Sequence, residues 1–183
     1  MAHAGGGLMH THSHTVDTLL FLLGDPPVLE ARAALGAHAE NGRFKTDPGV
    51  LWADLLCAGG LRAHLFAGSR YEFEVVGSAG ALQLCNNGLT ETWRVRRPDS
   101  RRQAGLDVWE SHPFPPPDLS ISPTLQCVRE LVAAVRDGAP TSGGLPVAQR
   151  QMEVAVAMAV SDAAGGAAVP LQGLPHALYI PSR

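Results

Sequence analysis

Hydrophobic positions along the chain follow two different periods, and the switches between them predict its elements. From Leu8 the pattern is helical, with Leu19, Leu20, Phe21, Leu22 and Leu23 packing one side before Gly24 and Asp25-Pro26-Pro27 stop it. Gly5-Gly6-Gly7 ahead of it reads as a flexible entry. Val28 to Leu35 then reads as a strand. After a polar loop around Asn41 to Asp47, Val50 to Cys57 and Leu61 to Ala67 flank Ala58-Gly59-Gly60, which predicts an antiparallel hairpin. Glu72 to Val76 and Ala81 to Leu84 bracket Gly77-Ser78-Ala79-Gly80, a second tight turn whose glycines supply positive φ. Thr90 to Arg96 alternates Thr92, Arg94 and Arg96 with Trp93 and Val95, a half-buried strand followed by a loop over Asp99 to Gly105.

Beyond a stiff connector from Pro113 to Pro117 the period lengthens. Leu125, Val128, Leu131, Val132 and Val135 recur at helical spacing until Asp137-Gly138, and a final helix runs from about Pro146 to Ala164. Its small-residue tail, Ala163 to Ala168, leads into Val169-Pro170-Leu171. Helix, mostly antiparallel strands, then two helices predicts an α+β fold: an open, mostly antiparallel sheet with helices packed on one face. The chain has no internal repeat and reads as one domain over residues 1–183.

Composition fits an ordinary folded domain, with 45% hydrophobic and 17% charged residues. Net charge is −3, and the local stretch Arg94, Arg96, Arg97, Arg101 and Arg102 lacks interleaved aromatics, so no nucleic-acid partner is expected. Leu19 to Leu23 is far too short to span a bilayer and His3 to His14 supplies no cationic leader, so the expectation is a cytoplasmic protein without a membrane partner. Cys57, Cys85 and Cys127 are odd in number and form no CxxC pair; they read as buried small hydrophobes. Lys45 is the only lysine, so any mechanism needing a lysine uses it or finds one on another polypeptide. No GxGxxG follows a strand and no GxxxxGK[ST] occurs, so the chain has no Rossmann domain and nothing in it binds a dinucleotide phosphate unaided.

Four segments carry a resemblance. The glycine-rich lead with His14, Asp17 and the Leu-rich turn ending at Gly24 resembles the helix that opens the C-terminal domain of the glucose-fructose oxidoreductase/inositol dehydrogenase/rhizopine catabolism (Gfo/Idh/MocA) family. Glu72 to Leu82 is similar to that family's sheet hairpin, Arg136-Asp137-Gly138-Ala139-Pro140 to the end of its penultimate helix, and Ala164-Gly165 with Val169-Pro170-Leu171 to its closing strand. The match covers most of Gly5 to Leu171. It implies the substrate-binding and oligomerisation domain of an oxidoreductase that exchanges a hydride between NAD or NADP and a sugar, inositol or related polyol. The cofactor would be bound mainly by a domain absent from this chain, leaving the chain alone inactive. The resemblance also implies an Asp and a His one helical turn apart at the reacting hydroxyl. His14 matches the His, but His10 occupies the Asp position. The family's open sheet face implies a homo-oligomer, with Trp52 and Trp93 at the contact and Arg94 and Arg96 near its rim.

Independently of family, residues four apart on a helix share a face, so His10 and His14 can address one ligand. Imidazole can accept the proton leaving an alcohol, which makes His14 the acid/base candidate and His10 a group that orients it or binds a second hydroxyl. Asp17 could orient the His14 ring and fix its tautomer. In the bland reading His10, His12 and His14 lie at a frayed terminus and Asp17 stabilises the early helix. Two other functions remain: a non-catalytic polyol-binding or dimerisation module, and a small metal-dependent hydrolase with zinc on His10, His12 and His14. His38, His64, His112 and His176 read as isolated structural or surface residues. Trp52, Trp93 and Trp109 with Tyr71 and Phe73 line a sugar-stacking surface, or fill a core or an interface.

Overall fold

The elements follow the predicted order with two added strands. In a computed structural model that describes residues 2–4, 6–68, 71–85, 90–96, 109–113, 121–175, 178 and 180, strand β1 (Ala2–Ala4) precedes one π-helical turn (Leu8–His12) that runs directly into α1 (Ser13–Leu22). Then come β2 (Val28–Leu35), β3 (Val50–Cys57), β4 (Arg62–Ala67), β5 (Glu72–Val76), β6 (Gly80–Cys85), β7 (Thr90–Arg96) and β8 (Trp109–Pro113). Two helices, α2 (Pro123–Asp137) and α3 (Leu145–Ala163), and the two-residue β9 (Val169–Pro170) complete the described chain. The strands form one sheet in the order β8-β7-β6-β5-β1-β4-β3-β2-β9. Every described pairing is antiparallel except β1 with β4. This is the expected α+β sheet.

The glycine lead and the segment after β7 hold the additions. β1 inserts between β4 and β5, pairing Ala2 with Leu65 and with Phe73. β8 takes Trp109–Pro113, partly in what reads as a connector, and pairs with β7. β8 and β9 are the two sheet edges and each ends in a proline, Pro113 or Pro170, a residue edges tolerate and central strands do not. The expected Asp99 to Gly105 loop lies outside the described residues.

One face of the sheet carries the core. Alternate residues Ala31, Ala33 and Leu35 of β2, Ala53, Leu55 and Cys57 of β3, and Ala63 and Leu65 of β4 are buried beneath Val16, Leu19 and Leu20 of α1 and Val154, Ala155, Ala157, Met158 and Ala159 of α3. Alanine facing alanine lets α3 lie close to β2. α3 also finishes β2's hydrogen bonding. Because β9 reaches only Glu30 and Ala31, the next outward amides of β2 lack a strand; Ser161 Oγ accepts from Ala33 N–H and Asp162 Oδ1 from Leu35 N–H, both at 2.9 Å.

The middle helix behaves differently. Ser122 caps its start by accepting from Leu125 N–H at 3.2 Å, and Gly138, with φ of 68°, closes its end in the left-handed region. Yet it buries no residue, and Leu125, Val128, Leu131, Val132 and Val135 are all exposed. Glu130 Oε2 accepts from Ser142 N–H at 3.2 Å and Ser142 Oγ at 2.7 Å, which joins the helix to the loop that follows it. Of the three helices, α1 and α3 cover the sheet face.

Helix exposure also corrects the cysteine reading. Cys57 is buried, Cys85 is half-buried and Cys127, carried on α2, is exposed; all three are free thiols. Among the described residues no helix is long and apolar enough to cross a membrane.

Candidate functional site

The chain enters α1 through a clamp. Asp47 Oδ1 accepts from Met9 N–H and Oδ2 from His10 N–H, each at 2.9 Å, so one carboxylate satisfies two of the amides that a helix start leaves unpaired. Leu8 N–H donates to Pro48 O at 2.7 Å, and Tyr71 Oη donates to Thr11 O at 2.8 Å. Thr11 and His12 amides both donate to Gly7 O, which makes the first turn π-helical. The glycines ahead of it permit close packing: Gly6 has φ of +104° and a Cβ there would strike Thr11, whereas one on Gly7 would strike Asp47. The turn is therefore fixed from three sides.

That turn sorts the histidines. Leu8, His12, Thr15, Val16, Leu19 and Leu20 are buried and lie on one side of the helix. At 100° per residue, His10, His14, Asp17, Thr18 and Phe21 form the opposite stripe, away from the sheet. His10 and His14 are exposed there and Asp17 is half-buried. His10 and His14 thus share a face as expected. Among the described residues no hydrogen bond joins Asp17 to His14.

His12 departs most from the expectation. It is 1% exposed, and among the described residues neither ring nitrogen has a hydrogen-bond partner. The three imidazoles His10, His12 and His14 therefore do not converge, since His12 points into the core while the other two face outward. Among the described residues no three His, Cys, Asp or Glu side chains are grouped to hold a metal. The three-histidine zinc hydrolase is overturned by this placement. The frayed-terminus reading also falls, because the turn is clamped.

Burial pushes the His12 pKa below its ordinary 6.5, with the Asp47 carboxylate pulling the other way. A depressed folded value means that the unfolded chain takes up this proton first. Stability from neutral His12 is complete above pH 6.5 and is lost as pH falls from there through the lower folded value. His12→Leu is expected to flatten this acid limb and to raise stability by about 1 kcal/mol at neutral pH, because an unpaired buried ring disappears. Urea unfolding midpoints across that pH range check both; an unchanged acid slope would assign it to other groups.

Asp47→Ala is expected to cost about 2 kcal/mol by stranding two amides. Amide exchange at Met9 and His10 should accelerate with it, and protection at the wild-type level would show that the clamp is dispensable.

Aromatic candidates divide between the two sheet faces. Phe73 joins the core and Tyr71 holds the π-turn. Trp52 is 37% exposed on the open face, paired across β3 and β4 with Phe66, and next to Asp54, which contacts Arg62 at 3.0 Å and His64 at 3.4 Å. The side chains of Trp93, Trp109, Arg94 and Arg96 lie outside the description. Of the remaining histidines, His38 Nδ1 is 2.6 Å from Asp162 Oδ2, His112 lies 3.7 Å from Glu110, and His176 is outside the described residues.

Sequence reasoning passed over Asp47, which sits 37 residues from the amide of His10 that it holds. It also passed over Arg150, whose Nη2 is 2.8 Å from Asp25 Oδ1 and which lines, with Asp17, Thr18, Phe21, Asp25, Ser142 and other residues, a cavity of about 290 Å³. The Gly24-Asp25-Pro26 helix stop was the visible signal for one end of that pair.

No family model matches the sequence, and no curated protein matches it. Solved structures do, and they are oxidoreductases of the Gfo/Idh/MocA type. An NAD-binding protein from Listeria innocua superposes with TM-score 0.67 at 16% identity, over 93% of this chain and 54% of that one. A UDP-N-acetylglucosamine 3-dehydrogenase from Acidithiobacillus ferrooxidans gives TM-score 0.61 at 15% identity, over 93% and 54%. A levoglucosan dehydrogenase in complex with NADH and L-sorbose gives 0.59 at 17%, over 91% and 50%. At these identities the likeness establishes the fold, which agrees with the C-terminal domain of that type. The chain spans about half the length of the solved structures it matches.

Proposed function

We propose that these 183 residues are the substrate-binding half of an NAD(P)-dependent oxidoreductase acting on a sugar, inositol or related polyol in the cytoplasm. The observation that carries the reading is the outward stripe of His10, His14 and Asp17 on a clamped helix start, in a fold shared with oxidoreductases.

The cofactor belongs mainly to a domain outside these residues. The glycine lead does not suit a dinucleotide: Gly6 and Gly7 pack against Thr11 and Asp47, and the amides that a phosphate would need already meet the Asp47 carboxylate. When bound, NAD or NADP supplies the acceptor for the hydride leaving the carbinol carbon. His14 would take the hydroxyl proton at its ring nitrogen, and His10, one turn earlier, binds a neighbouring hydroxyl or orients the ring. Asp17 accepts from a further hydroxyl. The open sheet face, where Trp52 and Phe66 lie beside Asp54, Arg62 and His64, makes the contact of a homo-oligomer.

His10 in place of the family's Asp favours a second reading, a polyol-binding or dimerisation module without turnover. Mixing the chain with a separately produced nucleotide-binding domain and following reduced nicotinamide with sugars and inositols separates the two. Formation above background supports the enzyme; saturable polyol binding without any formation supports the module; neither result in any polyol ends both.

A further inference from the structure

We infer that the cavity beside the candidate site takes an amine-bearing second ring of the substrate, an inference that rests on the reading above. The outward stripe does not stop at Asp17. It continues through Thr18 to Phe21, and from Asp17 onward it forms one wall of the 290 Å³ cavity, whose other wall is Ser142, Gly143, Val147 and Arg150. His14 to Phe21 spans roughly 10 Å along the helix axis, longer than one sugar ring needs. A ligand with its reacting hydroxyl at His14 therefore extends into the cavity only if it carries a second unit.

The wall chemistry selects that unit. Among the described residues Arg150 Nη2 is 2.8 Å from Asp25 Oδ1 while its Nε is buried without a partner, so the two carboxylates of Asp17 and Asp25 outweigh the one guanidinium and the lining is net negative. Phosphate or carboxylate groups would meet repulsion from it. Phe21, 71% exposed, offers a bare aromatic face one turn from the Asp17 carboxylate. An aromatic face beside a carboxylate is the pairing that holds an ammonium group on a ring with apolar C–H edges. Ser142 Oγ donates to Glu130, so it faces a ligand as an acceptor and favours the same donor-rich partner. The substrate class is an amino-substituted, two-ring polyol.

Matched probes test this on the chain itself. Cellobiose and its diamino counterpart, the β-1,4-linked glucosamine disaccharide, differ only in two amines, and glucose serves as the single ring. At low ionic strength the diamino compound is expected to bind roughly fivefold to tenfold more tightly than cellobiose. Asp17→Asn and Phe21→Ala should each bring that ratio towards one. Equal affinities, a preference surviving Asp17→Asn, or no binding by any probe would overturn the inference. The two readings fail separately: equal affinities that still weaken in His14→Ala spare the substrate site, whereas binding insensitive to His14→Ala counts against that site itself.

Discussion

Asp162→Ala is expected to lower the unfolding free energy by about 3 kcal/mol, the largest stability loss from a single polar group in this fold. The carboxylate is buried, accepts from Leu35 N–H at 2.9 Å, and lies 2.6 Å from His38 Nδ1. It substitutes for the edge strand that β9 is too short to provide. Alanine leaves a buried amide with no acceptor in a strand that forms the centre of the helix contact. Asp162→Asn is the informative control. Its amide oxygen can still accept from Leu35 and its nitrogen can donate to the other tautomer of His38, so a loss of about 1 kcal/mol is expected. Urea denaturation of both variants decides it: equal losses would mean that charge, and not the acceptor position, is what β2 requires.

The contrast with Ser161 sharpens the point. Ser161 Oγ accepts from Ala33 N–H and donates to Ala167 O at 2.6 Å, so adjacent residues at the end of α3 complete two outward amides of β2 and one carbonyl of the chain leading to β9. Neither role is written locally. In a helix pattern Ser161 and Asp162 look like polar residues closing an apolar run.

Strands β2 to β7 were legible because each alternates or is apolar over five residues or more and is punctuated by glycine or proline. Gly59, with φ of 73°, turns β3 into β4 as the Ala58-Gly59-Gly60 pattern required. β1 was not legible: three residues carry no period, and its hydrogen bonds come from β4 and β5, more than 60 residues away. β8 was hidden by Pro113, which counts against a strand unless one knows that the strand is an edge. For α2 the period located the apolar stripe correctly, but a period states which residues share a face and not what covers them. His10 and His14 were legible as one face. His12 was not separable from them by sequence, because its burial depends on the π-turn and on the Asp47 clamp that holds that turn against the sheet.

The second large effect concerns turnover. In an enzyme assembled with its nucleotide-binding domain, His14→Ala is expected to reduce the rate of nicotinamide reduction by a factor of roughly 10² to 10⁴, the range for removing a positioned acid/base group. The same substitution should leave stability unchanged within about 0.5 kcal/mol, because the ring is exposed on the stripe facing away from the core and has no hydrogen bond to the described residues. A lower rate with an unchanged unfolding midpoint therefore reports chemistry. His10 lies one turn away and could pass the proton in its neighbour's absence, so a modest loss in His14→Ala has a specific cause to check. If His10 deputises, the double variant His10→Ala/His14→Ala falls well below either single one. Should the double variant retain turnover within about threefold of the parent, the proton leaves by a route that uses neither imidazole, and the stripe serves binding alone.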